Sequence, residues 1–465
     1  MKIVGVIAGS FLLLPEFARA AGFHEGPPGL LWGVPFLGML LSIAILPAVL
    51  PHFWHVHFGK VATFWGAALL LPLLVATGLN NAGQIVVHAL LVEYLPFILL
   101  LFALYTVSGG ILVSGHLHGS PRLNTGILAL GTLLASLMGT TGAAMLLIRP
   151  LLRANENRRH RAHIVVFFIF LVANVGGGLT PMGDPPLFLG FLEGIDFFWT
   201  VRAMSPAVLV AAFYLLGLFF LVDAWFYRRE GKGDEPPVKD DPLRLHGGWN
   251  FLLIVAVVGA VLLSGMWKSG VEFNVWGTQV ALQNAVRDVL LLLIGLVSLW
   301  LTPAMVRSGN EFNWFPMQEV AKLFVTIFIT ITPVIAMLKA GPNGPLAGLV
   351  SLVSGPDGAP IHSMYFWMTG VLSSFLDNAP TYLVFFNLSS GDPVQLMGPL
   401  SRTLLAISMG AVFMGANTYI GNAPNFMVKA MAEHRNVEMP GFFGFMLWSS
   451  VVLLPLFGLM TLLFF

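Results

Sequence analysis

Asp184 and Asp377 are carboxylates set inside long apolar segments of a 465-residue sequence. An ionisable group in a bilayer costs at least ~2.5 kcal/mol, so a residue kept there is expected to bind something. A carboxylate removed from water holds a proton and releases it when a cation comes close, so one Asp can trade H+ for Na+. That trade is the minimal chemistry of an antiporter. The structural alternative is an Asp that caps a half-helix and never titrates. Near these two, Asn174, Thr180, Asn378, Thr381, Asn417, Thr418 and Asn422 supply neutral oxygens of the kind a small hard cation takes. Thr140 and Thr141 do so from a further segment. The reading predicts Na+ in the Asp184 and Asp377 region, with Na+ and H+ as the transported ions and no cofactor.

The same segments are broken by Gly and Pro. Gly176, Gly183 and Pro186 interrupt the first, and Gly415, Gly421 and Pro424 interrupt another near the C-terminus. Breaks of this kind free backbone carbonyls and amides at membrane depth, where no water satisfies them. An ion does so well, since half-helix N-termini favour anions and unwound carbonyls favour cations. The two breaks align without a gap: Thr180, Gly183, Asp184 and Pro186 fall on Thr418, Gly421, Asn422 and Pro424. A match at this distance indicates an internal repeat.

The elements that must position these groups follow from composition and charge. The chain is 57% hydrophobic and 10% charged, against roughly 25% charged in soluble domains, which excludes a soluble fold. A helix needs ~20 apolar residues to cross a bilayer, and twelve apolar segments are present, the first at about 31–50 and the last at 441–464. Arg149, Arg153, Arg158, Arg159 and Arg161 crowd one loop, and Arg228, Arg229, Lys232, Lys239 and Arg244 another, so both are expected to be cytoplasmic. The segment 125–148 has basic flanks on both sides, which one crossing cannot produce. It reads as a re-entrant hairpin turning at Gly139-Thr140-Thr141-Gly142, with Gly142 in the turn. Segment 363–387 has flanks without Lys or Arg and reads as a second hairpin from the other side, turning at Asp377-Asn378-Ala379-Pro380.

The expected fold is an all-α polytopic membrane protein of two inverted repeats, each with three spans, a re-entrant hairpin, a broken span and a span. Residues 1–20 read as a signal peptide or N-terminal anchor, 29–227 as the first repeat, 228–247 as a cytoplasmic linker and 248–465 as the second repeat. The expected location is a bacterial-type inner (plasma) membrane. His52, His55 and His57, and His116 with His118, lie in what read as loops and are taken as solvated rather than metal ligands. Glu93, His88 and Asp223 are taken as snorkelling groups at span ends, and Arg287 with Asp288 as a pair at a helix start. No basic stripe suggests nucleic acid, and with no Cys there is no disulfide or thiolate site.

On these motifs the sequence resembles a known family. Residues 173–184, Ala-Asn-Val-Gly-Gly-Gly-Leu-Thr-Pro-Met-Gly-Asp, resemble the first broken helix of NhaD-type sodium/proton antiporters, and 373–380, Ser-Ser-Phe-Leu-Asp-Asn-Ala-Pro, that family's second hairpin. Both belong to the ion transporter superfamily, with its citrate, arsenite and dicarboxylate carriers, and the break at Gly415 to Pro424 is more similar to the citrate-transporter members. The resemblance implies a homodimer in which a scaffold holds a moving transport part. Dicarboxylate symporters of the superfamily carry Ser-Asn-Thr at each hairpin tip, and this chain does not. An Asp at a tip repels a carboxylate unless a cation bridges them. Sodium/proton antiport is therefore the first expectation and cation-coupled citrate or other carboxylate transport the second. A channel is the third, and an enzyme is not expected, since no His-Glu-x-x-His or Gly-x-Ser-x-Gly motif is present.

Overall fold

A computed structural model describes residues 28–115, 117–230 and 242–465. The expectation for residues 1–20, and His116, Lys232 and Lys239, lie outside the described residues. The first half begins with α1 (Val34–Val49) and α2 (Pro51–His88). Gly78, with φ of 77°, divides α2 into two helices, and a π-turn at Ala89–Tyr94 joins its second part to α3 (Leu95–Ser108). There follow α4 (Pro121–Met138) and α5 (Thr140–Ala154), the helix pair α6 (Ala162–Leu171) and α7 (Pro185–Leu192), and α8 (Phe197–Glu230). The second half runs in the same order: α9 (Trp249–Met266), α10 (Leu282–Leu301), α11 (Phe315–Lys339), α12 (His362–Phe375), α13 (Asn378–Ser389), α14 (Ser401–Met414), α15 (Ala423–His434) and α16 (Phe442–Phe464). Short helices at Ala304–Gly309, Ala347–Val353 and Pro393–Met397 lie between these, and two small antiparallel pairs are present, β1 (Leu112–Ser114) with β2 (Arg244–His246) and β3 (Glu272–Val275) with β4 (Thr278–Ala281). Eight stretches of the described residues are long and apolar enough to cross a membrane, and the protein is an all-α polytopic membrane protein.

The hairpins arise from local signals. Ser120 caps α4, its hydroxyl accepting from Leu123 N–H at 3.3 Å, with Pro121 at the first helical position. The helix stops at Gly139, whose φ of 78° lies in the left-handed region that favours glycine. The chain then reverses into α5. Gly119 N–H meets Ala154 O at 2.6 Å, and the Asn124 and Asn155 amides exchange two bonds of 2.8 and 2.9 Å. The two ends of the hairpin therefore lie together. The 15 residues of α5 rise about 22 Å and the 12 of α13 about 18 Å, both short of a ~30 Å hydrocarbon core. Observed limits exceed the apolar stretch expected at 125–148, because the outer turns carry Asn124, Arg149 and Arg153.

The hairpins come in from opposite ends of α8. At its C-terminal end, Asp223 takes Asn124 Nδ2 at 2.9 Å and Arg158 Nη1 at 2.5 Å, while Glu230 takes Arg158 Nε at 3.0 Å. At its N-terminal end, Asp196 N–H donates to Met397 Sδ at 3.2 Å, just beyond the second hairpin. The 34 residues of α8 rise about 50 Å, and Asp196 and Asp223 are about 40 Å apart along it. The broken helices fill the centre, with residues 163–178 and 406–416 buried throughout. By contrast α9 and α10 turn residues such as Val255 and Trp300 outward, as a lipid-facing surface requires.

Several sequence expectations are corrected here. Asp223 does not snorkel: it is fully buried, and His163 Nε2 completes its partners at 2.9 Å. His88 and Glu93 lie at the π-turn within a long helix rather than at a span end, and His52, His55 and His57 sit in the first turns of α2 rather than in a loop. Arg149 and Arg153 belong to α5, and Arg149 is buried.

Candidate functional site

Asp184 occupies the residue before α7 in extended conformation, with φ of −143°. Pro185 and Pro186 then start the helix with φ already set and no amide hydrogen to lose. The Asp184 carboxylate is 1% exposed, and three side chains from three other elements meet it. Thr140 Oγ1, at the tip of the first hairpin, donates to Oδ1 at 3.3 Å. Asn378 Nδ2, at the tip of the second, donates to Oδ2 at 2.6 Å. Asn422 Nδ2, in the second break, donates to Oδ1 at 3.0 Å, across 238 residues of chain. Both breaks and both hairpin tips thus converge on one carboxylate.

Asp377 caps α13, its Oδ1 accepting from Ala379 N–H at 3.0 Å. It also lines, with Asp184, a cavity of about 100 Å³. Gly139 to Gly142 and Pro424 contribute to the wall, Phe97, Leu104 and Phe324 form an apolar side, and no Lys, Arg or His faces it among the described residues. Asn378 Oδ1 is buried and without a hydrogen-bond donor among the described residues. Two carboxylates lining the cavity, with the amide of Asn378 bonded to one of them and no basic group among the described lining residues, suit a cation.

Behind the cavity the two halves repeat one hydrogen-bond pattern. The Thr180 hydroxyl donates to Ser136 O and the Ser136 hydroxyl to Gly176 O. The Thr418 hydroxyl donates to Ser374 O at 2.5 Å and the Ser374 hydroxyl to Met414 O at 3.0 Å. Each pair ties a hairpin to the break that follows it. Thr418 Oγ1 also accepts from Ile420 N–H at 3.2 Å and Gly421 N–H at 3.1 Å, which uses both its lone pairs. Thr180 and Thr418 each tie a hairpin through the hydroxyl hydrogen, and Thr418, expected to offer its oxygen to a cation, has both lone pairs engaged. Close approach explains the glycines: a Cβ at Gly183 would lie 2.2 Å from Gly177 O, at Gly421 2.5 Å from Gly415 O, and at Gly142 2.3 Å from Ser108 Oγ.

The remaining sequence candidates divide. Thr141 lines the cavity. Asn174 lies one residue pair away, accepting from Asn422 Nδ2 at 3.3 Å and donating to Asn425 Oδ1 at 2.8 Å. Thr381 donates to Asp377 O at 2.9 Å, and Asn417 to Ser374 Oγ at 2.9 Å, so both hold backbone or second partners rather than the cavity. Gly176 packs against Thr132 O, where a Cβ would come within 2.7 Å, and Pro380 lies in the first turn of α13. Gly415 O takes Asn425 Nδ2 at 2.9 Å. Ser136, Ser374 and Asn425 were not singled out in the sequence. The constant spacing that links Thr180 to Thr418 also links Ser136 to Ser374 and was the available signal.

A family model described as "Putative citrate transport" matches residues 27–465. No curated protein matches the chain.

Proposed function

The chain belongs to this citrate-transport family, a family of transporters, and from that premise we propose that it is a secondary active transporter that exchanges Na+ for H+ at Asp184 and Asp377. The observation that carries the reading is the convergence of Thr140, Asn378 and Asn422 on the Asp184 carboxylate. One buried carboxylate held by amides and a hydroxyl can carry a proton or, with Asp377 and Asn378 Oδ1 beside it, a small cation. Either form fills the site, and the two exclude each other by charge. Because hairpin tips from both sides close on it, a site of this kind can be uncovered by one hairpin at a time, which is alternating access. The finer resemblance to NhaD-type antiporters agrees with this chemistry, and so does a bacterial-type inner membrane. A homodimer remains part of what that resemblance implies.

A second reading, cation-coupled transport of citrate or another carboxylate, is favoured by the family description. Since no basic group among the described residues faces the cavity, a carboxylate would enter the centre only with a bound cation between it and Asp377. Everted vesicles separate the readings. Collapse of a pH gradient on adding Na+ or Li+ supports exchange, collapse only when citrate accompanies the cation supports the second reading, and currents far above transporter turnover would make the protein a channel.

A further inference from the structure

Pro316 and Met317 line the central cavity, and the turn that precedes them carries Glu311, which is about half exposed to solvent. That turn therefore connects the cavity wall to a solvent-exposed carboxylate. It is tied to the cavity wall by Tyr105, itself a lining residue, whose hydroxyl donates to Asn313 O at 2.6 Å. Glu311 has φ of 48°, a left-handed conformation uncommon for a residue with a side chain. Two guanidinium groups from separate elements meet its carboxylate. Arg149 Nη2, on α5, is 3.5 Å from Oε2, and Arg435 Nη2, just after α15, is 3.4 Å from Oε1.

Neither contact is closed. A charge-assisted N–H to carboxylate bond settles at about 2.7–2.9 Å, and a guanidinium prefers to use two donors at once. Arg149 is 7% exposed, its Nε has no partner among the described residues, and its bond to Met145 O is 3.5 Å long. Arg153, one turn further along, donates from Nη2 to Val113 O at 2.5 Å, and its buried Nε has no partner among the described residues. Two guanidiniums thus share one half-exposed carboxylate, and a buried cation with unused donors is costly to leave so.

We propose that Arg149 and Arg435 form an anion-binding site at the cavity mouth, which takes a carboxylate of a small polycarboxylic acid, and that Glu311 fills it until such an anion arrives. A carboxylate is the favoured occupant because the group already there is one, each oxygen turned to one arginine. Glu311 can leave into water at little cost, since its side chain is half exposed. The site does not require Na+/H+ exchange at Asp184 and stands apart from it.

Calorimetric titration of citrate into the purified full chain at fixed ionic strength tests this. Glu311→Gln removes the competing charge and is expected to tighten citrate binding at least fivefold. Arg435→Gln, at an exposed residue, is expected to weaken it at least fivefold, and Asp184→Asn to leave it unchanged when no cation is added. Arg149→Lys keeps the charge but loses the fork and is expected to weaken binding as well. If that buried variant fails to fold, the two exposed ones carry the test. Equal affinity in wild type, Glu311→Gln and Arg435→Gln would overturn the proposal. So would loss of binding in Asp184→Asn alone, which moves the anion to the centre, or binding of phosphatidylglycerol vesicles through Arg435 with no citrate binding, which makes it a lipid headgroup site.

Discussion

At the scale of single residues, Asp184 and Asp377 do different work, and substitution can tell them apart. Asp184 accepts from three side chains, and its carboxylate caps no backbone amide. Asp184→Asn keeps the shape of the site but removes the charge that a proton or cation neutralises. We expect insertion to persist and ion-driven collapse of a pH gradient in vesicles to disappear; retained exchange would remove the carboxylate from the mechanism. Asp377 caps α13, and Asn caps a helix about as well as Asp. Asp377→Asn should therefore leave thermal stability nearly unchanged while lowering cation affinity at least tenfold. An unchanged affinity would reduce Asp377 to its capping role.

At the scale of elements, the breaks and hairpins are locked by backbone contacts that leave no room for a methyl group. Gly183→Ala and Gly421→Ala place a Cβ against a carbonyl oxygen of the same break, and rigid backbone cannot yield as a flexible side chain would. A loss of about 2–4 kcal/mol is expected, read as a lower unfolding temperature in detergent. Gly217→Ala, in α8 with open space around it, is the control and should be neutral or slightly stabilising. Thr180→Val and Thr418→Val remove the matched bonds to Ser136 O and Ser374 O. Each should cost about 1–2 kcal/mol and weaken ion binding only by loosening a hairpin; lower affinity at full stability would restore these hydroxyls as ligands.

At the scale of the whole molecule, the hairpins approach from opposite ends of α8, so their flanking loops should face opposite sides of the membrane. The chain has no Cys, so single cysteines can be introduced without a background. A cysteine at Asn157 should react with an impermeant reagent only from inside, and one at Asp392 only from outside. The reverse pattern would invert the topology that the basic residues suggest.

Much of this was legible in the amino-acid sequence. Apolar length marked the chain as membrane-spanning, basic flanks required a reversal within residues 125–148, and Gly and Pro marked both breaks. These are local properties: hydrophobic length, charge and backbone freedom need no distant partner to act. The alignment of Thr180 with Thr418 also brought Asp184 and Asn422 into register before any contact was known. What only the tertiary structure decided is where each polar side chain points. Thr418 turned its oxygen to the backbone, Asp223 went inward to Arg158 and His163, and Arg149 left its loop for a buried place opposite Glu311. A polar group out of water must find a partner, and which partner lies within 3 Å depends on elements packed from across the chain.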